Sequence, residues 1–122
     1  MSQHSLISVV DDDPSVRESL PDLLREFGYA VEVFASAELF LQSDCLVTTG
    51  CLILDVAMPG MTGPDLHHEL LRRGYSIPVI FITAHGDAKD CPKLNRLGVV
   101  GFLIKPFSEV ALLKALHSVF VQ

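Results

Sequence analysis

Short apolar runs alternate along the chain with longer segments in which apolar residues recur every three or four positions. Leu6-Ile-Ser-Val-Val10 is a β-rich run that stops at three consecutive aspartates. Beyond them, Ser15 to Phe27 carries Val16, Leu20, Leu23, Leu24 and Phe27 on one stripe, the spacing of an amphipathic helix, with Gly28 as its stop. Pro21 falls inside that helix, where it removes a backbone hydrogen bond, and it predicts a bend. Ala30 to Phe34 alternates as a strand, and Ser36 caps a short helix, Ala37 to Gln42, with Glu38 in its first turn. Cys51-Leu-Ile-Leu54 runs apolar into Asp55, and Met58 to Gly63 reads as a loop. Pro64 to Arg73 reads as a helix, with Gly74 just past its end. Pro78 to Ile82 is a fourth strand. The polar stretch Thr83 to Asp90 leads into a helix ending at Gly98, and Phe102 to Ile104 is a fifth strand. Ser108 then caps a final helix whose apolar stripe includes Val110, Leu113, Leu116 and Phe120.

Five β-α pairs in succession, with strands apolar throughout, are the mark of a parallel sheet covered on both faces. Right-handed crossovers then predict a doubly wound α/β sandwich. One domain of this kind accommodates all 122 residues. With 49% hydrophobic and 20% charged residues, the chain is no disordered polyelectrolyte. A net charge of -6 gives the domain no electrostatic reason to hold nucleic acid, so DNA binding would have to come from elsewhere. Cys45, Cys51 and Cys91 are odd in number and lack CxxC spacing, which argues for reduced thiols over a disulfide framework or a zinc site. No apolar run reaches membrane-span length and the first residues do not form a signal peptide, so the expected location is the cytoplasm.

Sites in doubly wound folds form at the carboxyl ends of the strands. Asp11, Asp12 and Asp13 follow the first strand, Asp55 the third, Thr83 the fourth and Lys105 the fifth. Carboxylates gathered on one edge raise one another's proton affinity, and a hard cation relieves this. Mg²⁺ takes oxygen ligands and often binds through one or two carboxylates plus phosphate oxygens. Asp55 has the chemistry of a carboxylate nucleophile toward phosphorus, and Mg²⁺, Lys105 and Thr83 are the partner types that the new phosphoryl oxygens require. Singly, each residue has a plain structural role: a helix cap, a turn residue, strand-end filler, a solvated charge. Together, on four strand ends, they form a coordinated chemical set.

The chain resembles the receiver domains of two-component response regulators, over essentially its whole length from about Ser5. Four stretches carry the likeness: Val10 to Arg17, Leu54 to Gly63, Phe81 to Asp87 and Phe102 to Phe107. Their order and spacing are most similar to the nitrogen-fixation-type subgroup, whose receivers often precede a LuxR-type helix-turn-helix output domain. The resemblance implies a flavodoxin-like fold with strand order 2-1-3-4-5. It implies Asp55 as phosphoacceptor, Asp12 as direct Mg²⁺ ligand with Asp11 acting through water, and a backbone carbonyl ligand from Ala57. Thr83 becomes the switch hydroxyl, Lys105 the partner of the phosphoryl oxygens, Phe102 the aromatic switch, and Asp13 a helix cap. Lys105-Pro106 is expected to be cis. The implied partners are a sensor histidine kinase, a C-terminal DNA-binding domain and a phosphorylation-dependent second copy of the chain. The implied behaviour is a regulatory switch that promotes its own phosphotransfer and dephosphorylation, not a turnover enzyme.

Some positions depart from the pattern. Ala57 stands where the subgroup often has Arg, which opens the site to water. His85 borders the pocket and reads as a solvated loop residue. Pro92 falls where the fourth helix runs and puts in question the face built by the fourth helix, fifth strand and fifth helix. His67 and His68 point in different directions, so they are no metal pair. Three other readings stay open. A Mg²⁺-dependent phosphatase commonly has a second acid two residues after its nucleophile, where this chain has Ala57. A pseudo-receiver that only binds partners predicts damage to the acidic set or to Lys105. A flavin-binding domain predicts a phosphate loop after the first strand, where this chain has acids.

Overall fold

The computed structural model describes residues 6–84, 99–105 and 107–120. Its elements are β1 (Leu6–Val10), α1 (Pro14–Glu26), β2 (Ala30–Phe34), α2 (Ala37–Leu41), a 3-10 turn (Asp44–Val47), β3 (Thr49–Asp55), α3 (Gly63–Arg72), β4 (Val79–Thr83), β5 (Val99–Ile104) and α4 (Glu109–Phe120). Here α4 is the final helix of the sequence scheme. The helix expected to end at Gly98, with His85, Cys91 and Pro92, lies outside the described residues, and so does Pro106 with its peptide bond.

The five strands form one parallel sheet in the order β2-β1-β3-β4-β5. Alternation along the strands sorts side chains onto two cores. Ile7, Val9, Cys51, Ile53, Ile80, Ile82 and Leu103 pack with Leu20 and Leu24 of α1 and Leu112 and Leu116 of α4. Val10, Leu52, Leu54, Val79 and Phe81 pack with Phe40 of α2 and Leu66 and Leu70 of α3. A sheet covered this way needs apolar residues on both faces of its central strands, which is why β3 is buried at almost every position. The outer strands differ: β2 exposes Ala30, Glu32 and Val33, and β5 exposes Val100 and Ile104.

The local signals are those of capped helices. Asp13 caps α1 by accepting from the Ser15 N–H, and Ser36 caps α2 by accepting from Leu39. α1 continues through Pro21, which is buried, and ends before Gly28, whose φ of 97° is a backbone geometry that favours glycine. α3 begins with a capping box in which Thr62 accepts from the Asp65 N–H and Asp65 accepts from the Thr62 N–H.

Three sequence readings change. β3 starts at Thr49, ahead of its expected start at Cys51, because Thr49 Oγ1 bonds Ser8 Oγ on β1 at 2.6 Å and gives the strand a polar first rung. β5 starts at Val99, not Phe102, by pairing with Val79 of β4. The apolar stripe of the final helix is rotated: Leu112 and Leu116 are buried, whereas Val110 and Leu113 are 64% and 43% exposed. Leu112 and Leu116 are four residues apart and share a face, and Phe120 continues it against the core. Val110 and Leu113 form a second, outward row.

Candidate functional site

Register brings the site together. Val10 pairs with Leu54, so Asp11 and Asp55 leave neighbouring strands at the same level. Asp55 pairs with Ile82 and Thr83 with Ile104, so Thr83 and Lys105 stand one step further along. Backbone bonds hold these ends: Asp11 N donates to Phe34 O at 3.1 Å, Val56 N to Ile82 O at 2.9 Å and Lys105 N to Thr83 O at 2.8 Å. Strand alternation then divides the side chains. Asp11, Asp55 and Lys105 follow Val9, Ile53 and Leu103 onto one face, and Thr83 shares the other with Phe81 and Phe102.

Asp11, Asp12 and Asp55 each present a carboxylate oxygen to a cluster whose atoms lie within 4.8 Å of one another. Asp11 and Asp55 are buried and Asp12 is exposed. The Lys105 ammonium approaches them at 3.1 Å from Asp11 Oδ2 and 3.7 Å from Asp55 Oδ1, and it donates a hydrogen bond to Asp11 Oδ1 at 3.4 Å. Asp11 Oδ2 is buried and makes no hydrogen bond in this structure; its contact with Lys105 is a charge contact only.

The electrostatics follow from this crowding. Burial pushes the Asp55 carboxyl up to about 7, the Asp11 charge and the contacts with Asp11 and Asp12 add to the rise, and Lys105 opposes it. Burial works against the charge on Lys105, but its bond to Asp11 and the charges of Asp11, Asp55 and Asp13 outweigh that, and its pKa is raised. Among the described residues, one ammonium therefore stands against several carboxylates. Oxygen donors with an excess of negative charge and a buried oxygen lacking a hydrogen bond fit a hard divalent cation such as Mg²⁺. Ala57 is exposed in the loop after β3, two residues beyond Asp55.

Thr83 is half-buried at the end of β4 and is tied to the site through its backbone bond from Lys105. The Phe102 ring stacks on Phe81 with centroids 5.9 Å apart, and Phe81 meets the edge of His67 at 5.9 Å. His67 is thus buried between α3 and β4, and His68 faces outward, as the helix geometry requires.

Sequence reasoning read Asp13 as a helix cap but missed its place beside Lys105, and it missed three further contributors. Asp13 caps α1 and also stands 3.9 Å from the Lys105 ammonium. Arg17 donates from Nη1 to the Asp11 carbonyl at 3.0 Å. Glu38 accepts from the Met61 N–H at 3.4 Å and so holds the loop that follows Asp55. At Gly63 a Cβ would collide with the backbone carbonyl of Asp55. The Arg17 and Glu38 contacts and the close approach at Gly63 depend on long-range geometry.

This arrangement and the fold define a class. The model of the response regulator receiver domain family matches residues 7–117, and the chain belongs to that family. It is similar to the response regulator protein TmoT of Ectopseudomonas mendocina, with 44% identity over 116 residues covering 95% of this chain and 53% of the relative. Among solved structures it resembles FixJ-N at a TM-score of 0.83 and 34% identity, covering 96% of this chain and 93% of that one. It also resembles the response regulator TrrA of Thermotoga maritima in complex with Mg²⁺-BeF, at a TM-score of 0.82 and 26% identity, covering 94% of this chain and 98% of that one. The chain spans about half the length of the curated relatives it matches. Among the described residues no helix is long and apolar enough to cross a membrane.

Proposed function

We propose that residues 1–122 act as a single receiver domain that takes up a phosphoryl group on Asp55 in a Mg²⁺-dependent reaction. The observation that carries this reading is the buried Asp55 carboxylate, with Asp11 and Asp12 clustered around it and the Lys105 ammonium 3.7 Å away. A carboxylate oxygen of Asp55 attacks phosphorus, the bond from phosphorus to the donor's leaving group breaks, and the leaving group departs with the bonding pair. From a phosphohistidine the broken bond is P–N, and the imidazole accepts a proton from water. Asp11, Asp12 and Asp55, with the Ala57 carbonyl, are the groups that would hold Mg²⁺. The ion supplies charge neutralisation at the phosphoryl oxygens. Lys105 then exchanges its contact with Asp55 for one with the new dianion, a change of partner at the same place.

Donor access runs along a groove of about 450 Å³ beside Lys105, with apolar walls from Val16, Leu20, Leu23 and Phe107. A sensor histidine kinase is the partner that fits this chemistry. Phosphorylation draws the Thr83 hydroxyl toward the phosphoryl group and lets the Phe102 ring, now stacked on Phe81, follow it. The outward row of Val110 and Leu113 is the surface on which that change is read, by a second copy of the chain or by an output domain that controls transcription. The setting is the cytoplasm, and the switch resets by hydrolysis that the domain itself promotes. Mg²⁺-TrrA-BeF supports the reading, because BeF stands in for a phosphoryl group.

Intact mass after incubation with acetyl phosphate and Mg²⁺ tests it. The expected result is a gain of one phosphoryl group, abolished by Asp55→Asn and by EDTA. Mg²⁺ binding with no gain would favour a partner-binding pseudo-receiver. Donor consumption without adduct would favour a phosphatase.

A further inference from the structure

We infer that Arg17 is a positioning residue for the acidic pair: its side chain fixes the peptide that aims Asp11 and Asp12 at a divalent cation. The inference rests on the cation-site reading above. Asp11 is held at three atoms. Its N–H donates to Phe34 O of β2 at 3.1 Å, its Oδ1 accepts from the Asp13 N–H at 2.9 Å, and its carbonyl accepts from Arg17 Nη1 at 3.0 Å. The first two contacts place the residue and its own carboxylate. The third sets the plane of the Asp11–Asp12 peptide, and with it the direction in which the exposed Asp12 leaves the backbone. Arg17 acts from α1, which Asp13 caps by accepting from the Ser15 N–H at 2.9 Å, so the helix and the loop are braced together. A planar guanidinium presents a donor in a fixed direction from a partly buried position, which an ordinary surface charge does not.

Charge and positioning predict opposite signs. A cation beside an acidic cluster repels a second cation, so if Arg17 acted through charge alone its removal would tighten Mg²⁺ binding. If it positions the peptide, removal loosens binding despite the lost repulsion.

The experiment is calorimetric titration of the chain with Mg²⁺ alone, for wild type, Arg17→Met and Arg17→Lys, with circular dichroism and thermal melting as fold controls. Arg17→Met is expected to weaken Mg²⁺ binding roughly tenfold, the effect typical of groups that orient metal ligands, and Arg17→Lys to recover part of it. Should Arg17→Met fail to fold, Arg17→Gln takes its place with the same expected loss. A folded variant that binds Mg²⁺ as tightly as wild type, or more tightly, overturns the inference. Wild type that binds no Mg²⁺ overturns the site reading itself, and the inference with it.

Discussion

Asp55 and Ile104 end two strands of the same sheet, separated by one strand, yet one is 4% exposed and the other 53%. Around Asp55 the centre of the sheet buries charge: Asp11 is fully enclosed, Lys105 is pulled inward, and the backbone is pinned from β2, α1 and α3. At the flank Ile104 leaves apolar area in water, and so do Val110 and Leu113 of α4. Each region holds what is costly in its setting: unneutralised carboxylates inside, hydrocarbon outside. Chemistry is thus confined where solvent is scarce, and apolar surface is held where another molecule can reach it.

Neighbouring leucines on α4 give the sharpest form of that comparison. Leu112→Ala opens a cavity against the sheet and should cost about 3 kcal/mol, whereas Leu113→Ala should cost well under about 1 kcal/mol. Urea denaturation of both variants measures it. Equal losses would mean that the outward row is part of the core.

Gly63→Ala tests how tightly the centre is closed. The new methyl meets the Asp55 carbonyl and the Val56 backbone, neither of which can swing away as a flexible side chain would. A loss of about 2 kcal/mol is expected by the same measurement, with slower uptake of phosphoryl from acetyl phosphate. A neutral substitution would show that α3 can slide relative to β3.

A third test is the pH dependence of the buried charge. The Asp55 carboxyl is raised from its ordinary 3.8 to about 7. Between those values the folded chain holds a proton that the unfolded chain has released, so its contribution falls as pH rises through the window and levels off above it. In EDTA, the urea midpoint of wild type should therefore drop relative to Asp55→Asn between about pH 5 and about pH 8. A relative rise would mean that Lys105 outweighs burial, and that the centre is less hostile to charge than its enclosure implies.

The five-pair scheme was legible because parallel strands and amphipathic helices leave different periods in the sequence, and because Asp13, Ser36 and Gly28 sit where caps and stops belong. The acids and Lys105 were legible as strand-end residues, since parallel register carries such ends to one edge. The rotation of α4 was not. Apolar residues at 110, 112, 113 and 116 fit two helical stripes equally well, and only packing against Ile53 and Leu103 chooses between them. The Arg17 and Glu38 contacts were hidden for a related reason, because each depends on where a turn of backbone comes to rest.

The Lys105–Asp11 contact joins residues 94 positions apart. Contacts of that span close late, after shorter loops have formed. All three acids belong to the part of the chain that ends at Asp55, so a growing polypeptide presents them well before the ammonium that tempers them has been made. The ammonium that balances the acidic cluster is in place only once the last strand has paired with β4.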